Sequence, residues 1–394
     1  MFGVRVLSDL DKLGIRREIE KIGCSERGIE IMLPKSQFRI VFAKGLDPKA
    51  ANIVKQEFLS AGGEAAVGWE ALNMTEEESQ IMMMATIRQY KRVLKKLREQ
   101  PFDLGTLADE IEEALENFHS LPEIPWGGHE QQVMGVLNVT PDSFYDGGEY
   151  DVQNRAVRKG IEMAEQGADI IDIGGESTRP GSERISLKEE RDRVIPVIEE
   201  LSKKIDVPIS IDTYKPEIAE EAVNAGATII NDIFALRKEG MAEKVSELDV
   251  PIILMHMKGT PKKMQKNPTY GDVIADITDF FSERIRYALD AGISKENIIL
   301  DPGIGFGKKL QHNLEIISRI DEFSSLGYPI LLGASRKSFL GTILGKEAKD
   351  RLYGSLAVAS YAVNKKVSIL RVHDVQETID ALKVVRAIED HDQE

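Results

Sequence analysis

The sequence predicts an α/β protein: a (β/α)8 barrel of the TIM type, residues 127–394, preceded by a smaller α+β domain, residues 1–126. Three observations carry this expectation. Short apolar runs recur from about residue 133 onward, each long enough for one buried strand. Each run ends in polar or glycine-rich residues, and helical patterns fill the intervals. Strands that are apolar without alternation are those covered on both faces, as in a parallel barrel, whose sites lie at the C-terminal strand ends.

In chain order, FRIVFAK from Phe38 reads as a strand and PKAANIVKQEFLSAGG as a helix stopped by Gly62 and Gly63. QIMMMAT is a second strand, and IRQYKRVLKKLREQ and LADEIEEALENF are helices. Met82 to Met84 read as buried packing, because no His or Cys accompanies them to make a soft metal site. Arg88 to Arg98 carry a basic charge that could face nucleic acid or membrane. Interspersed Val93, Leu94 and Leu97 favour a solvated amphipathic helix. SLPEIPWGGHEQ, with two prolines and two glycines, reads as the linker into the barrel. No function for the N-terminal domain follows from these residues.

The barrel strands then read as VMGVLN (from Val133), DIIDIGG (Asp169), PISID (Pro208), TIIND (Thr228), PIILM (Pro251), IILD (Ile298), YPILLGA (Tyr328) and VSILRVH (Val367). Between them NRAVRKGIEMAEQGA, SLKEERDRVIPVIEELSKK, PEIAEEAVNAGA and ADITDFFSERIRYALDAG have helical spacing. No close internal repeat suggests a solenoid.

Composition narrows the function classes. The 394 residues are 42% apolar, enough for two domains and a sizeable core. The formal charge is -15, which argues against a nucleic-acid surface. Residues 1–126 hold 17 Lys+Arg and 21 Asp+Glu, net -4, leaving -11 for the rest, so charge does not divide the chain. Yet the strand-end loops carry Arg179, Arg336, Lys337, Arg371 and His373, a cationic set suited to an anionic small molecule. The single Cys24 rules out an internal disulfide and a cysteine-built zinc site. No run of about 18 apolar residues and no leader-like start are present, so a soluble cytoplasmic protein is expected.

The chemistry concentrates at the strand ends. Asn138 is an uncharged oxygen donor beside a loop holding Asp142 and Asp146. It either caps the turn or helps a hard cation meet phosphate. Arg371 and His373, one residue apart, project to the same side of a strand and can hold phosphate oxygens. The competing use is a salt bridge with Asp374 or another acidic neighbour. Asp212 and Asp301 close apolar strands and must be paired. They can serve as an acid/base couple, bind metal, or accept N–H groups of a nitrogen-rich heterocycle, with Asn231, Asp232 and Lys337 extending the array. GGESTRPG and PGIGFGK match neither the dinucleotide nor the Walker pattern. They read as mobile or tightly turned loops, with Phe306 as an apolar wall. No nucleophile elbow is present.

Taken together NVTPDSFYDGG, GGESTRPG, SIDT, IND, MHMKGTP, LDPGIGFGK, GASRKSF and RVHDV, in this order over about residues 130 to 390, resemble the dihydropteroate synthase family. The resemblance implies condensation of 6-hydroxymethyl-7,8-dihydropterin diphosphate with 4-aminobenzoate, releasing pyrophosphate. It implies that Asp212, Asn231, Asp301 and Lys337 bind the pterin in a slot shaped by Met255, Phe306 and Gly333. Asn138 would take Mg2+ and, with Arg371 and His373, hold the diphosphate. Asp146 and Arg179 would belong to lids, and Thr178 and Ser338 would lie near the aminobenzoate. A homodimer is also implied. Tyr145 stands where the family commonly has a small residue, and residues 1–126 have no counterpart in its minimal enzyme. Alternatives are a pterin-binding methyltransferase of related fold and a non-catalytic pterin-binding scaffold.

Overall fold

The computed structural model describes residues 2–7, 10–120, 122–127, 131–140, 149–177 and 184–389. The chain forms two compact units, Met1–Glu116 and Asn117–Glu394, dividing ahead of the boundary read from the sequence at 126.

The first unit is built from α1 (Lys12–Lys21), α2 (Glu26–Ser36), β1 (Phe38–Leu46), α3 (Pro48–Ser60), β2 (Glu64–Val67), α4 (Trp69–Asn73), β3 (Ser79–Thr86), α5 (Ile87–Leu97) and most of α6 (Leu104–His119). Its antiparallel sheet has the order β1-β3-β2. The expectation of buried methionines holds only in part. Side chains alternate along a strand, so Met83 is fully buried whereas Met82 is 42% exposed. Helix α5 is the solvated amphipathic helix expected. Thr86 and Gln89 close a capping box at its start, and Tyr90, Val93, Leu94 and Leu97 face the core. The Tyr90 hydroxyl donates to the Met83 carbonyl at 2.8 Å. Helices α1 and α2 escape the sequence reading. Their N-caps Asp11 and Ser25 are ordinary, but α1 buries no residue and α2 carries a proline, Pro34, inside its span.

The second unit is the barrel: β4 (Gln132–Asn138), α7 (Glu149–Glu165), β5 (Ile170–Gly174), α8 (Leu187–Leu201), β6 (Ile209–Asp212), α9 (Pro216–Asn224), β7 (Ile229–Asp232), α10 (Met241–Leu248), β8 (Ile252–Met255), α11 (Val273–Asp290), β9 (Ile298–Asp301), α12 (Leu310–Ser318), β10 (Leu331–Leu332), α13 (Ser338–Leu344), α14 (Leu352–Val363), β11 (Ile369–Val372) and α15 (Val375–Glu389). Eight parallel strands run in the order β10-β11-β4-β5-β6-β7-β8-β9, and a parallel bridge from Leu300 to Ile330 joins the two outer strands. All eight strands read from the sequence are present. The β10 strand is only two residues long because its chain turns early into the loop carrying Lys337.

The interior explains how the site is placed. Met134, Ile170, Ile229, Ile253, Ile299, Leu331 and Ile369 meet at the floor of the barrel. The segment read as a linker does more than connect: Trp126 packs against this floor, its indole N–H donating to Gln132 at 2.6 Å, and Ile124 is buried. Two residues further along the same inward faces stand Asp172, Asn231, Met255, Asp301, Gly333 and Arg371. The interior thus changes from hydrocarbon to charge within one strand pleat. The alternate residues, among them Ile173, Ile211, Leu254 and Leu300, pack outward on the helices in one continuous core.

Candidate active site

Strand register assembles the first row of the site. Asn138, Gly174, Asp212 and Asn231 stand opposite one another across β4, β5, β6 and β7, and Met255 stands opposite Asp301 across β8 and β9. A Cβ on Gly174 would lie 3.7 Å from Asn138 Oδ1 and 3.8 Å from Asp212 Oδ2, so the glycine keeps open the space between these oxygens.

Arg371 crosses the barrel into this row. Its Nε donates to Asp172 Oδ2 at 2.6 Å and an Nη donates to Asp212 Oδ2 at 2.9 Å. An ion pair was the competing reading of Arg371. It exists, but its partners are Asp172 and Asp212, while Asp374 pairs with Arg336. Burial pushes the Asp212 carboxyl up to about 7 against the pull of Arg371, with Asp172 adding to the rise. Asn231 Nδ2 donates to Asp172 at 3.2 Å. Asp301 Oδ1 accepts from the Gly303 N–H at 2.7 Å, and burial raises its pKa against the charge of Lys337.

Lys337 reaches in from the β10 loop. Its ammonium donates to the Ile304 carbonyl at 2.5 Å and sits 4.8 Å from the Phe306 ring centroid. Burial lowers its pKa to about 8, with Asp301 opposing. A Cβ on Gly333 would come within 3.7 Å of the Lys337 nitrogen and 3.8 Å of Arg371 Cβ, so glycine leaves the slot between them. Met255 is buried in an apolar cluster with Tyr214, Phe234 and Met257, and Phe306 packs on its edge. Ser338 is exposed at the first residue of α13. His373 is held by Ser335, whose Oγ accepts from the His373 backbone N–H at 3.2 Å and lies 3.1 Å from Nδ1. Burial and the neighbouring Arg371 charge lower the imidazole to about 4, so it is neutral at pH 7. This corrects the picture of two cations: at Arg371 and His373, one permanent charge stands beside one neutral ring.

The expected groups Asn138, Asp212, Asn231, Met255, Asp301, Phe306, Gly333, Lys337, Ser338, Arg371 and His373 thus share one end of the barrel. Asp146, Thr178 and Arg179, with Asp142 and Tyr145, lie outside the described residues. Asp232 was read as part of the ligand array. Its carboxylate instead accepts the backbone N–H groups of Phe234 (2.8 Å) and Leu236 (2.7 Å), so it shapes its own turn. Three groups escape the sequence reading. Asp172 is an acid inside an apolar run, two residues before Gly174 and on its face. Ser335 flanks the expected lysine and histidine, whereas Arg336, expected in the cationic set for an anion, is instead paired with Asp374. Lys308, wholly buried, donates to the Phe306 carbonyl at 3.1 Å and lies 2.8 Å from His256 Nδ1. The PGIGFG turn is tight, as expected of its glycines. At Gly303, with φ +65, a Cβ would come within 2.0 Å of the His256 carbonyl.

Residues 134–373 match the model of the family described as pterin binding enzyme. The chain is 40% identical over 385 residues to a probable bifunctional folylpolyglutamate synthase/dihydropteroate synthase of Halobacterium salinarum, covering 96% of this chain. It spans 46% of that relative's length. It is 49% identical over 255 residues to the dihydropteroate synthase of Escherichia coli, covering 65% of this chain and 90% of that enzyme. Among solved structures, dihydropteroate synthase of Xanthomonas albilineans with 4-aminobenzoic acid superposes with a TM-score of 0.63 at 46% identity, over 66% of this chain and 93% of that one. The part of the chain beyond the barrel is therefore shared with the halobacterial protein, whereas the Escherichia coli enzyme matches only 65% of it. With the family model spanning every barrel strand from β4 to β11, this chain belongs to the pterin-binding enzyme family.

Proposed function

We propose that the chain is a dihydropteroate synthase, joining 6-hydroxymethyl-7,8-dihydropterin diphosphate to 4-aminobenzoate with release of pyrophosphate. One observation carries the reading: a set that can read a heterocycle (Asp212, Asn231, Asp301 and Lys337) adjoins a set that can hold a leaving anion (Arg371 and His373) at one barrel mouth. The names of both relatives agree with this reading.

In this reading Asp212 and Asp301 accept N–H groups of the pterin, and Asn231 and Lys337 supply matching donors. Met255, Phe306 and Gly333 bound the slot. The exocyclic C–O bond breaks with its electron pair passing to the diphosphate. The carbocation left behind is delocalised into the pterin ring. The aniline lone pair forms the new C–N bond, and the aminium proton passes to water or to the released pyrophosphate. A neutral amine needs no strong general base, so the protein contributes orientation, leaving-group electrostatics and exclusion of water. Arg371 offers guanidinium N–H groups to the anion. His373, held at Nδ1 by the Ser335 hydroxyl, presents a neutral ring beside that charge. Asp146, Arg179, Thr178 and Ser338 complete the proposal as lid and aminobenzoate residues.

Mg2+ belongs to the same proposal. Among the described residues no group of three acidic, histidine or cysteine side chains could cage a metal. Asn138 Oδ1 borders the open space at Gly174, an uncharged oxygen that fits an ion that keeps waters and arrives with phosphate oxygens. When bound, Mg2+ neutralises charge on the diphosphate. A cytoplasmic homodimer is also proposed, from family resemblance. No described helix is long and apolar enough to cross a membrane. Sedimentation returning a monomer would remove the dimer.

The test is a pyrophosphate-release assay with both substrates. Release that requires 4-aminobenzoate supports the synthase. Pterin binding without turnover supports a scaffold instead.

A further inference from the structure

Two buried carboxylates share the guanidinium of Arg371, and they are not equivalent. The Asp212 side chain is 11% exposed, at the mouth, while Asp172 is completely buried one strand pleat deeper. Asp172 Oδ2 takes the Arg371 Nε–H at 2.6 Å and the Asn231 amide at 3.2 Å. Asp172 Oδ1 and the hydroxyl of Ser210, which stand opposite each other on β5 and β6, are buried with no hydrogen-bond partner among the described residues. A buried carboxylate is costly unless it is paired, and pairing with Arg371 is the task of Asp172. Here that task is geometric. Guanidinium has five N–H donors in a fixed plane, so fixing Nε fixes where both Nη groups point.

We propose that Asp172 is a positioning residue of the reaction: it is the permanent counter-ion of Arg371 and aims the Nη groups at the departing diphosphate, whereas Asp212 is the exchangeable counter-ion that releases Arg371 to accept the pterin. The chain from Asp212 through Arg371 and Asp172 to Asn231 then couples the two halves of the site. Pterin binding draws Asp212 away and frees that Nη donor for the leaving group, while the Asp172 contact holds the guanidinium plane in place. This inference rests on the synthase reading above.

The experiment compares the full-length wild type with Asp172→Asn, Arg371→Met and the double variant. Pyrophosphate release and calorimetric titration of 6-hydroxymethyl-7,8-dihydropterin, which lacks the diphosphate, are both measured. Asparagine keeps an acceptor for Asn231 but removes the charge holding Arg371. Asp172→Asn is expected to raise KM for the pterin diphosphate at least about tenfold, in line with breaking a buried charge pair. Affinity for the plain pterin should move less than about threefold, and KM for 4-aminobenzoate should not change. In the Arg371→Met background, Asp172→Asn should add no further loss of diphosphate-substrate affinity. Should Asp172→Asn alone not fold, the comparison of Arg371→Met with the double variant, in which neither buried group is charged, decides by itself. Equal losses for both pterin forms, unchanged kinetics, or losses that multiply in the double variant would overturn the assignment. A wild type that releases no pyrophosphate fails the synthase reading instead.

Discussion

The guanidinium of Arg336 grips the carboxylate of Asp374 through two parallel hydrogen bonds, one of them 2.9 Å from Nε to Oδ2. The preceding residue Ser335 binds the preceding residue His373, so two consecutive residues of the β10 loop are tied to two of the β11 loop. Arg336 adopts a left-handed backbone, φ +56. Its N–H donates to Ser355 Oγ and its carbonyl accepts from Arg351, each at 2.9 Å. A strained non-glycine residue persists where its surroundings over-determine it. The strap fixes the backbone that carries Lys337 to the backbone that carries His373.

Arg336→Ala should therefore lower kcat/KM about ten- to hundredfold, because displacing a site group by about 1 Å has effects of that order. Asp374→Asn should do the same, and the double variant should be no worse than either single one. Multiplying effects would show two separate roles.

The pH dependence of stability follows from Asp212 and Lys337. Asp212 titrates at about 7 in the folded protein, against an ordinary value of 3.8. Between these values the folded state holds a proton that the unfolded chain has lost, so stability falls as pH rises through this window. Lys337 titrates at about 8, against 10.5. Here the unfolded chain holds the extra proton, so stability rises from pH 8 to 10.5. These two groups place the least stable empty barrel between about pH 7 and 8, where both are charged and the proposed pterin contacts are complete. Asp212→Asn should raise the midpoint of thermal unfolding by several degrees at pH 8 and far less at pH 5. A uniform shift at both pH values would contradict this.

Lys337→Ala should weaken pterin binding about tenfold or more, the order expected when a charged donor to a buried ligand is lost. Titration with the plain pterin measures it. An unchanged affinity would move Lys337 out of the pocket.

Gly303→Ala should destabilise the protein by about 3 kcal/mol or prevent folding. The new methyl meets the His256 carbonyl at 2.0 Å, and the positive φ adds strain. Denaturant unfolding with a slope like that of the wild type gives the value.

A shortened chain starting at Asn117 should keep catalysis, because the barrel unit begins there and retains Trp126 on its floor. One starting after Trp126 should lose stability by about 1–3 kcal/mol, the scale of one partly buried aromatic side chain. Equal stability of the two would deny Trp126 that role.

What the sequence determined by itself was the local grammar. Eight runs such as IILD and TIIND read as strands buried on both faces, each ending in residues that can hold a ligand. Period-2 alternation put Arg371 and His373 on one side before any fold was known. Tertiary structure alone decided the pairings. Nothing local to Asp172 tells that its partner lies 199 residues later, or that Asp374 is claimed by Arg336 and leaves Arg371 to two other carboxylates. Nor does a segment rich in proline and glycine announce that its tryptophan will cover a barrel floor. Strand formation answers to neighbours a few residues apart. Charge pairing and plugging answer to whichever groups the closed ring of strands brings within reach, and burial then makes each pairing count.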